Sequence, residues 1–470
     1  MKLTSQEIQE VTQALGQNID SSKLWTGLST DSREAAAGAL FLALVGENFD
    51  GHNFIAGALK QGCQGLIVQK DVAEQMTQEQ QKNIQIFKVQ DTLKALQQLA
   101  HYQSQKFNSC MKVAITGTSG KTTTKYFAHQ LLEGQVPHYF SPKSFNNHIG
   151  VPLSLLDVQS TDQVALLEVG MNHHGEIKNL VSIIEPDLTL VTMVGRGHLE
   201  GLGTVEDVLK EKMSIYSKGH THVINKDDLK ISGFYTEYIS SPAQRQIWVS
   251  SQDPQADIYL QALEDDTDPF GRFKVKGHIL GLSGEAVIPI SGVHHVTNVL
   301  MAVAIATQSG LGAETLWQRL SLLQSFWGRS EVLNSAEGLR FYFDAYNANP
   351  ESMKAFFAQL QKLKTPPYIV LGEMLELGAS TKELHYELGV QAAQTPHAHL
   401  WFMGPSGEEF LQGYRSQKNG KNPIISDSYK EDVALRYKSM LKTGDWIALK
   451  GSRGMHLESF LSLFEGVRLR

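Results

Sequence analysis

Apolar positions along the chain follow two different periods. Near the start, Ile8, Val11 and Leu15 recur on one face behind a Thr4-x-x-Glu7 pair. That spacing predicts a capped amphipathic helix running to Gly16. Most other apolar runs are short, rich in β-branched residues and bounded by turn formers. Runs at 39–45 and 65–68 predict buried strands, with a loop over 46–51 and a helix over 54–60, so a small α/β unit reaches to about residue 107. Within it, the Gln-rich stretch 75–85 predicts a solvated helix and loop. A second series, at 112–116, 164–169, 188–192 and 221–225, is separated by helix-length segments. This is the pattern of a parallel sheet with helical crossovers. Segment 246–290 predicts antiparallel strands with glycine turns, and 299–306 a buried helix. A third series begins near Phe326, with strands over 340–344, 368–372, 399–403 and 446–450. The pattern therefore predicts an α/β chain of three domains, 1–107, 108–325 and 326–470.

Composition agrees with this division. At roughly 150 residues per domain, 470 residues make about three domains. Hydrophobic residues at 41% and charged residues at 19% suit packed cores rather than disorder. The formal charge of −7, with no basic run, argues against nucleic-acid binding, which rests on phosphate neutralisation. The two cysteines, Cys63 and Cys110, match neither a C-x-x-C pair nor a zinc pattern, which suits a reducing compartment. The first residues carry no apolar signal-peptide core, and no apolar run nears the ~18 residues of a membrane span. A cytoplasmic protein without a membrane span is expected.

The strongest local signal is Gly117-Thr118-Ser119-Gly120-Lys121-Thr122-Thr123, between an apolar strand and a helical run. In that context glycines let main-chain N–H groups converge on phosphate oxygens, and the helix N-terminus adds its positive end. Lys121 would reach the outer phosphates, and the Thr122 hydroxyl would bind Mg²⁺. The usual first glycine of the motif falls at Ile115, so this loop is a shorter variant. The expected fold class sharpens accordingly: a central P-loop-type, mostly parallel sheet, flanked by a small N-terminal α/β domain and a C-terminal Rossmann-like domain.

Other residues are ambiguous taken singly. Glu168 ends an apolar strand where α/β sheets bind ligands, yet a structural ion pair would look the same. His198 also sits at a strand exit, although Mg²⁺ prefers oxygen. Lys212, from its spacing alone, belongs to a solvated helix face. Asn225-Lys226-Asp227-Asp228 fits the N-K-x-D pattern that reads guanine, which leaves a GTPase as a rival.

Several further motifs follow in order from about residue 28 to 458: Thr30-Asp31-Ser32-Arg33, the 144–153 run Ser-Phe-Asn-Asn-His-Ile-Gly-Val-Pro-Leu, Glu168-Val169-Gly170-Met171, and His198-Leu199-Glu200-Gly201. Lys212 comes next, then Asp344-Ala345-Tyr346-Asn347-Ala348-Asn349-Pro350, the 371–378 run Leu-Gly-Glu-Met-Leu-Glu-Leu-Gly, and Lys450-Gly451-Ser452-Arg453-Gly454. Together with the phosphate loop, this set resembles the Mur ligases, the ATP-dependent amide-forming enzymes of peptidoglycan precursor synthesis. The resemblance implies a ligase joining D-alanyl-D-alanine to UDP-N-acetylmuramoyl-tripeptide through an acyl phosphate, working as a monomer. It implies ATP, Mg²⁺ and a CO₂-derived carbamate on Lys212. Catalytic roles fall to Lys121, Lys212, His198 and Arg329, and metal binding to Thr122, Glu168, His198 and Lys212. ATP contacts fall to the loop residues Gly117 to Thr123 with Asn298, Arg329 and Asp344. Ser32, Arg33, Asn147, Asn347 and Asn349 are expected at the other substrates. The three domains are expected to bind the UDP-sugar, to bind ATP, and to close over nucleotide and dipeptide. Three positions depart from the family pattern: His294-His295, Phe343-Asp344 and Lys212-Met213-Ser214. A folylpolyglutamate synthase shares the central domain, but the Asp-Ser-Arg region suits a UDP-sugar better.

Overall fold

A computed structural model of the chain describes residues 1–467 apart from 47–48, 108, 143, 265–269 and 418–421. Three sheets organise it. The N-terminal sheet has five strands, with Leu15–Gln17 antiparallel at one edge and the rest parallel. The central sheet has nine strands, and the C-terminal sheet six.

The first helix carries the predicted capping box between Thr4 and Glu7, but it ends at Thr12, not Gly16. Gln13 turns into the left-handed region, and the chain becomes an edge strand on which Leu15 is exposed. Helical periodicity ran on past a backbone break. Residues 46–51 are likewise not a plain loop. Val45–Gly46 and Phe49–Asp50 pair as a short hairpin, with Glu47 and Asn48 outside the described residues. In the Gln-rich stretch, Gln78–Asn83 is an exposed helix as expected. Gln85, however, is buried, and its side chain accepts from Ser5 Oγ at 2.8 Å.

In the central unit, Met111–Thr116 lies between Val164–Glu168 and Leu188–Val191, all parallel. Buried β-branched and Leu side chains on both faces of these strands suit a sheet covered by helices. Arg245–Ser250 extends the parallel series rather than opening the antiparallel one; only Ile258–Glu264, Phe273–Ile279 and Leu282–Ile288 form the antiparallel meander. The Val296–Gln308 helix is buried without a break from Val299 to Ala306, in one core with the Lys121–Leu132 helix. That packing locks the phosphate-loop helix onto the sheet.

The C-terminal unit places Trp446–Lys450 between Arg340–Asp344 and Tyr368–Gly372, all parallel. Its fifth and sixth strands, Glu331–Asn334 and Ile424–Ser426, are short and polar at their ends, so no apolar run announces them. The unit docks on the central one through polar contacts. Arg196 pairs with Glu351 at 3.4 Å and Glu387 at 3.0 Å, and Ser144 Oγ meets the Tyr346 hydroxyl at 2.5 Å. Among the described residues no helix is long and apolar enough to cross a membrane.

Candidate active site

The central strands end together, as parallel strands must, and their C-terminal ends carry the site. Gly117 and Gly120 take φ of 152° and 88°. A Cβ on Gly117 would lie 1.9 Å from Thr192 Oγ1, and one on Gly120 2.4 Å from Asn298 Oδ1. Only glycine lets the loop press this closely on its neighbours. The Lys121–Leu132 helix then begins with no side-chain cap, leaving its first N–H groups for a ligand. Thr192 Oγ1 donates to Ser119 O at 2.5 Å and braces the loop. Lys121 Nζ donates to Gly117 O at 2.6 Å, and burial holds its pKa below the ordinary value.

Two cavities meet here. The larger, of about 950 Å³, runs from the phosphate loop past Glu168 and His198 to residues of all three units, including Lys94, Asn147, Tyr346 and Asn347. The smaller, of about 600 Å³, lies on the other side of the loop between Asn225, His295, Asn298, Asp344 and Lys450. Ser119, Gly120 and Arg329 line both. Arg329 stacks 4.4 Å over the Tyr346 ring, which fixes its guanidinium at the junction.

The Glu168 carboxylate is fully buried, and Thr122 Oγ1 lies 3.2 Å from its Oε2. His198 Nδ1 is 3.0 Å from Glu376 of the C-terminal unit. Burial lowers the His198 pKa, against the pull of Glu376. Lys212 is not on a solvated face: it is wholly buried, and its Nζ has no hydrogen-bond partner among the described residues. Burial and the nearby Lys121 push its pKa well below the usual lysine value. Helical spacing misplaced it because its helix also turns Glu211 inward, where that carboxylate accepts from Gly175 N and Ile177 N.

Asp344 accepts from Ser330 N at 3.1 Å and pairs with Lys450 at 2.6 Å. Burial works against its carboxylate, but Lys450 and Arg329 outweigh it and hold its pKa low. Asn298 meets Thr124 Oγ1 at 3.2 Å and His295 Nδ1 at 3.3 Å, so it braces the helix as well as lining the smaller cavity.

Not every expected residue joins the site. Asn349 is buried, and its side chain accepts from Ser352 N at 2.9 Å as the cap of the Pro350–Leu360 helix, so it does not line the cavity as a dipeptide ligand. Ser32 and Arg33 lie off both cavities, and the exposed Arg33 pairs with Asp31 at 2.6 Å. Asn225, Asp227 and Asp228 of the N-K-x-D run line the smaller cavity without Lys226, and two of them act as braces. Asn225 donates to Thr192 O at 2.8 Å, and Asp228 accepts from Val194 N at 2.9 Å. Two buried lysines are absent from the sequence-based site: Lys450, which ends an apolar strand much as Glu168 does, and Lys125, one helical turn beyond Lys121.

Comparison with known proteins decides the family. Residues 25–104 match the catalytic domain of the Mur ligase family, 115–306 the Mur ligase middle domain, and 328–453 the glutamate ligase domain of Mur ligases. The chain belongs to the Mur ligase family. Among its relatives, the UDP-N-acetylmuramoyl-tripeptide–D-alanyl-D-alanine ligase of Treponema pallidum (strain Nichols) is 31% identical, with 92% of each chain covered. The enzyme of that name in Bacillus subtilis (strain 168) is also 31% identical, over 93% of this chain and 92% of its own. A crystal structure of MurF from Acinetobacter baumannii superposes with a TM-score of 0.86 at 27% identity, over 98% of each chain. MurF ligase from Thermotoga maritima, solved in complex with ADP, gives 0.76 at 25% identity, over 93% of this chain and 96% of its own. As a Mur ligase, the chain is an ATP-dependent amide-bond-forming enzyme.

Proposed function

We infer that this Mur ligase joins D-alanyl-D-alanine to UDP-N-acetylmuramoyl-tripeptide in peptidoglycan precursor synthesis, at the expense of ATP. The observation that carries the reading is the pair of cavities that meet at the phosphate loop, with Arg329 in the walls of both. The smaller suits the nucleoside of ATP, and the larger suits the peptide substrates, because only it reaches all three units. The division of labour follows: 1–107 for the UDP-sugar, 108–325 for ATP, and 326–470 closing over nucleotide and dipeptide. The enzyme works as a monomer in the cytoplasm, where ATP is.

A carboxylate is a poor electrophile, so amide formation needs activation. A tripeptide carboxylate oxygen attacks the γ-phosphorus of ATP, and ADP leaves. The dipeptide amine then attacks the acyl carbon, sheds a proton, and phosphate departs. Catalysis is mostly positioning and charge neutralisation. Lys121, Arg329 and the uncapped helix N-terminus offset phosphoryl charge. Asn298 and the Asp344–Lys450 pair hold the nucleoside side, and Asn147 and Asn347 line the peptide side. Ser32 and Arg33 are assigned to the UDP-sugar on resemblance alone. Thr122 Oγ1 and Glu168 Oε2 form an oxygen pair that fits a hard cation, so Thr122, Glu168 and His198 would hold Mg²⁺, which would draw charge off the phosphoryl oxygens. Lys212 fits a carbamate. Its buried amine has no hydrogen-bond partner among the described residues and is biased to the neutral form that adds CO₂, and the product would offer anionic oxygens beside the metal.

The test is ATP-dependent phosphate release with UDP-muramoyl-tripeptides ending in meso-diaminopimelate or in lysine. Release should require both the tripeptide and D-alanyl-D-alanine. Release from GTP alone would favour the guanine-reading alternative.

A further inference from the structure

Lys125 takes no part in the reaction as described, yet it is one of the most buried charges in the chain, at 3% exposure. It lines neither cavity, so it cannot touch a substrate there. Its Nζ lies 2.9 Å from Glu168 Oε1 and donates to Ser141 O at 2.6 Å and to Ser141 Oγ at 3.1 Å. Three elements therefore converge on one ammonium: the phosphate-loop helix, the end of the Val164–Glu168 strand, and the start of the loop that carries Asn146 and Asn147 into the larger cavity.

We propose that Lys125 is a positioning residue that fixes the rotamer of Glu168 and aims its second oxygen at the metal. A metal ligand works from one rotamer, and an outer partner on its other oxygen holds that rotamer before the metal arrives. Lys125 supplies the partner on the side away from the cavity. It engages Oε1 and leaves Oε2 beside Thr122 Oγ1. A second, diffusible cation then meets a carboxylate whose rotamer is already set, as outer partners set the ligands of other metal sites. The same ammonium holds Ser141, so the metal carboxylate and the substrate loop share one anchor.

This inference rests on the reading of Glu168 as a metal ligand, and the experiment separates the two. Binding of the fluorescent analogue N-methylanthraniloyl-ADP to the full chain is followed as Mg²⁺ is added, with no acceptor present. In Lys125→Met the Mg²⁺ concentration for half-maximal tightening should rise about ten-fold or more. Affinity for the analogue without Mg²⁺ should stay unchanged, which a general loss of packing would not allow. An unchanged or lowered Mg²⁺ requirement overturns the proposal. Glu168→Gln is measured beside it. If that variant also binds Mg²⁺ as the wild type does, the metal assignment itself fails. If Glu168→Gln shifts and Lys125→Met does not, only the role of Lys125 is lost. Should Lys125→Met not fold, Ser141→Ala removes one contact of the same ammonium and should move the requirement the same way, by about two-fold. No movement in that variant likewise rejects the anchor.

Discussion

Two helices of this chain follow the first inner strand of a parallel sheet, and their N-termini are finished in opposite ways. After Met111–Thr116, the turn to Lys121–Leu132 is glycine-rich, and the helix has no side-chain cap. After Arg340–Asp344, the turn to Pro350–Leu360 ends in a capping box of Asn349 and Ser352, with Pro350 at the first helical position. The first turn lines both cavities, and the second reaches the larger one through Tyr346 and Asn347. One leaves its N–H groups free of side-chain caps, whereas the other consumes them internally and starts from Asp344, which pairs with Lys450 of the neighbouring strand. Similar sheet architecture thus yields an anion cradle in one unit and a rigid clamp in the other. The local choice between glycine and a capping side chain makes the difference.

Lys121→Ala should lower kcat/KM by about 10²–10³-fold or more while circular dichroism and the unfolding midpoint stay near wild type. Near-normal turnover would remove the cradle from the mechanism. Lys212→Ala should be almost as inactive and should recover partly when short carboxylic acids are added to the assay. Failure of rescue, with full loss, would leave Lys212 without its carbamate role. Gly120→Ala puts a Cβ at a φ of 88° and against Asn298, so the loop must shift. It should raise the KM for ATP by about ten-fold, equivalent to roughly 1.4 kcal/mol, with the KM for the dipeptide unmoved.

The closed end predicts the reverse pattern. Asn349→Ala should cost about 1 kcal/mol of stability by denaturant titration and leave the dipeptide KM unchanged. A large rise in that KM would restore Asn349 as a ligand. The smallest expected effect is on pH. His222 and His295 are buried, and burial lowers both pKa values from 6.5. As the pH falls below 6.5, the unfolded chain takes up protons that the folded chain refuses, so stability declines. The unfolding midpoint at pH 5.5 should lie a few degrees below that at pH 7.5. The other histidines held low by burial, His129, His198 and His294, act in the same direction, whereas Asp157, which burial pushes up, opposes them.

The strands of all three units are legible from apolar runs because those runs are buried on both faces and need no alternation to declare themselves. The phosphate loop is equally plain, since its glycines, lysine and threonine are adjacent in the chain. Edge elements are harder to read. Leu15 keeps the helical period on an exposed strand, and Ile424–Ser426 has too few apolar residues to stand out. Lys212 shows the limit most clearly. Its neighbours in sequence are charged, and nothing local says that its helix turns that charge into the core.

By itself the sequence determined the three α/β units, the phosphate-binding turn and, through motifs in order, the reaction class. Each depends on residues close together in the chain, where geometry follows from spacing. Only the tertiary structure decided which charges are buried and with whom: Lys125 with Glu168, Lys450 with Asp344, and Lys212 with no hydrogen-bond partner among the described residues. The partners of a buried charge lie on other strands, from 43 residues away for Lys125 and Glu168 to 106 for Lys450 and Asp344. Desolvation makes such a charge expensive until packing brings a counter-charge to it, and periodicity along the chain carries no record of that meeting.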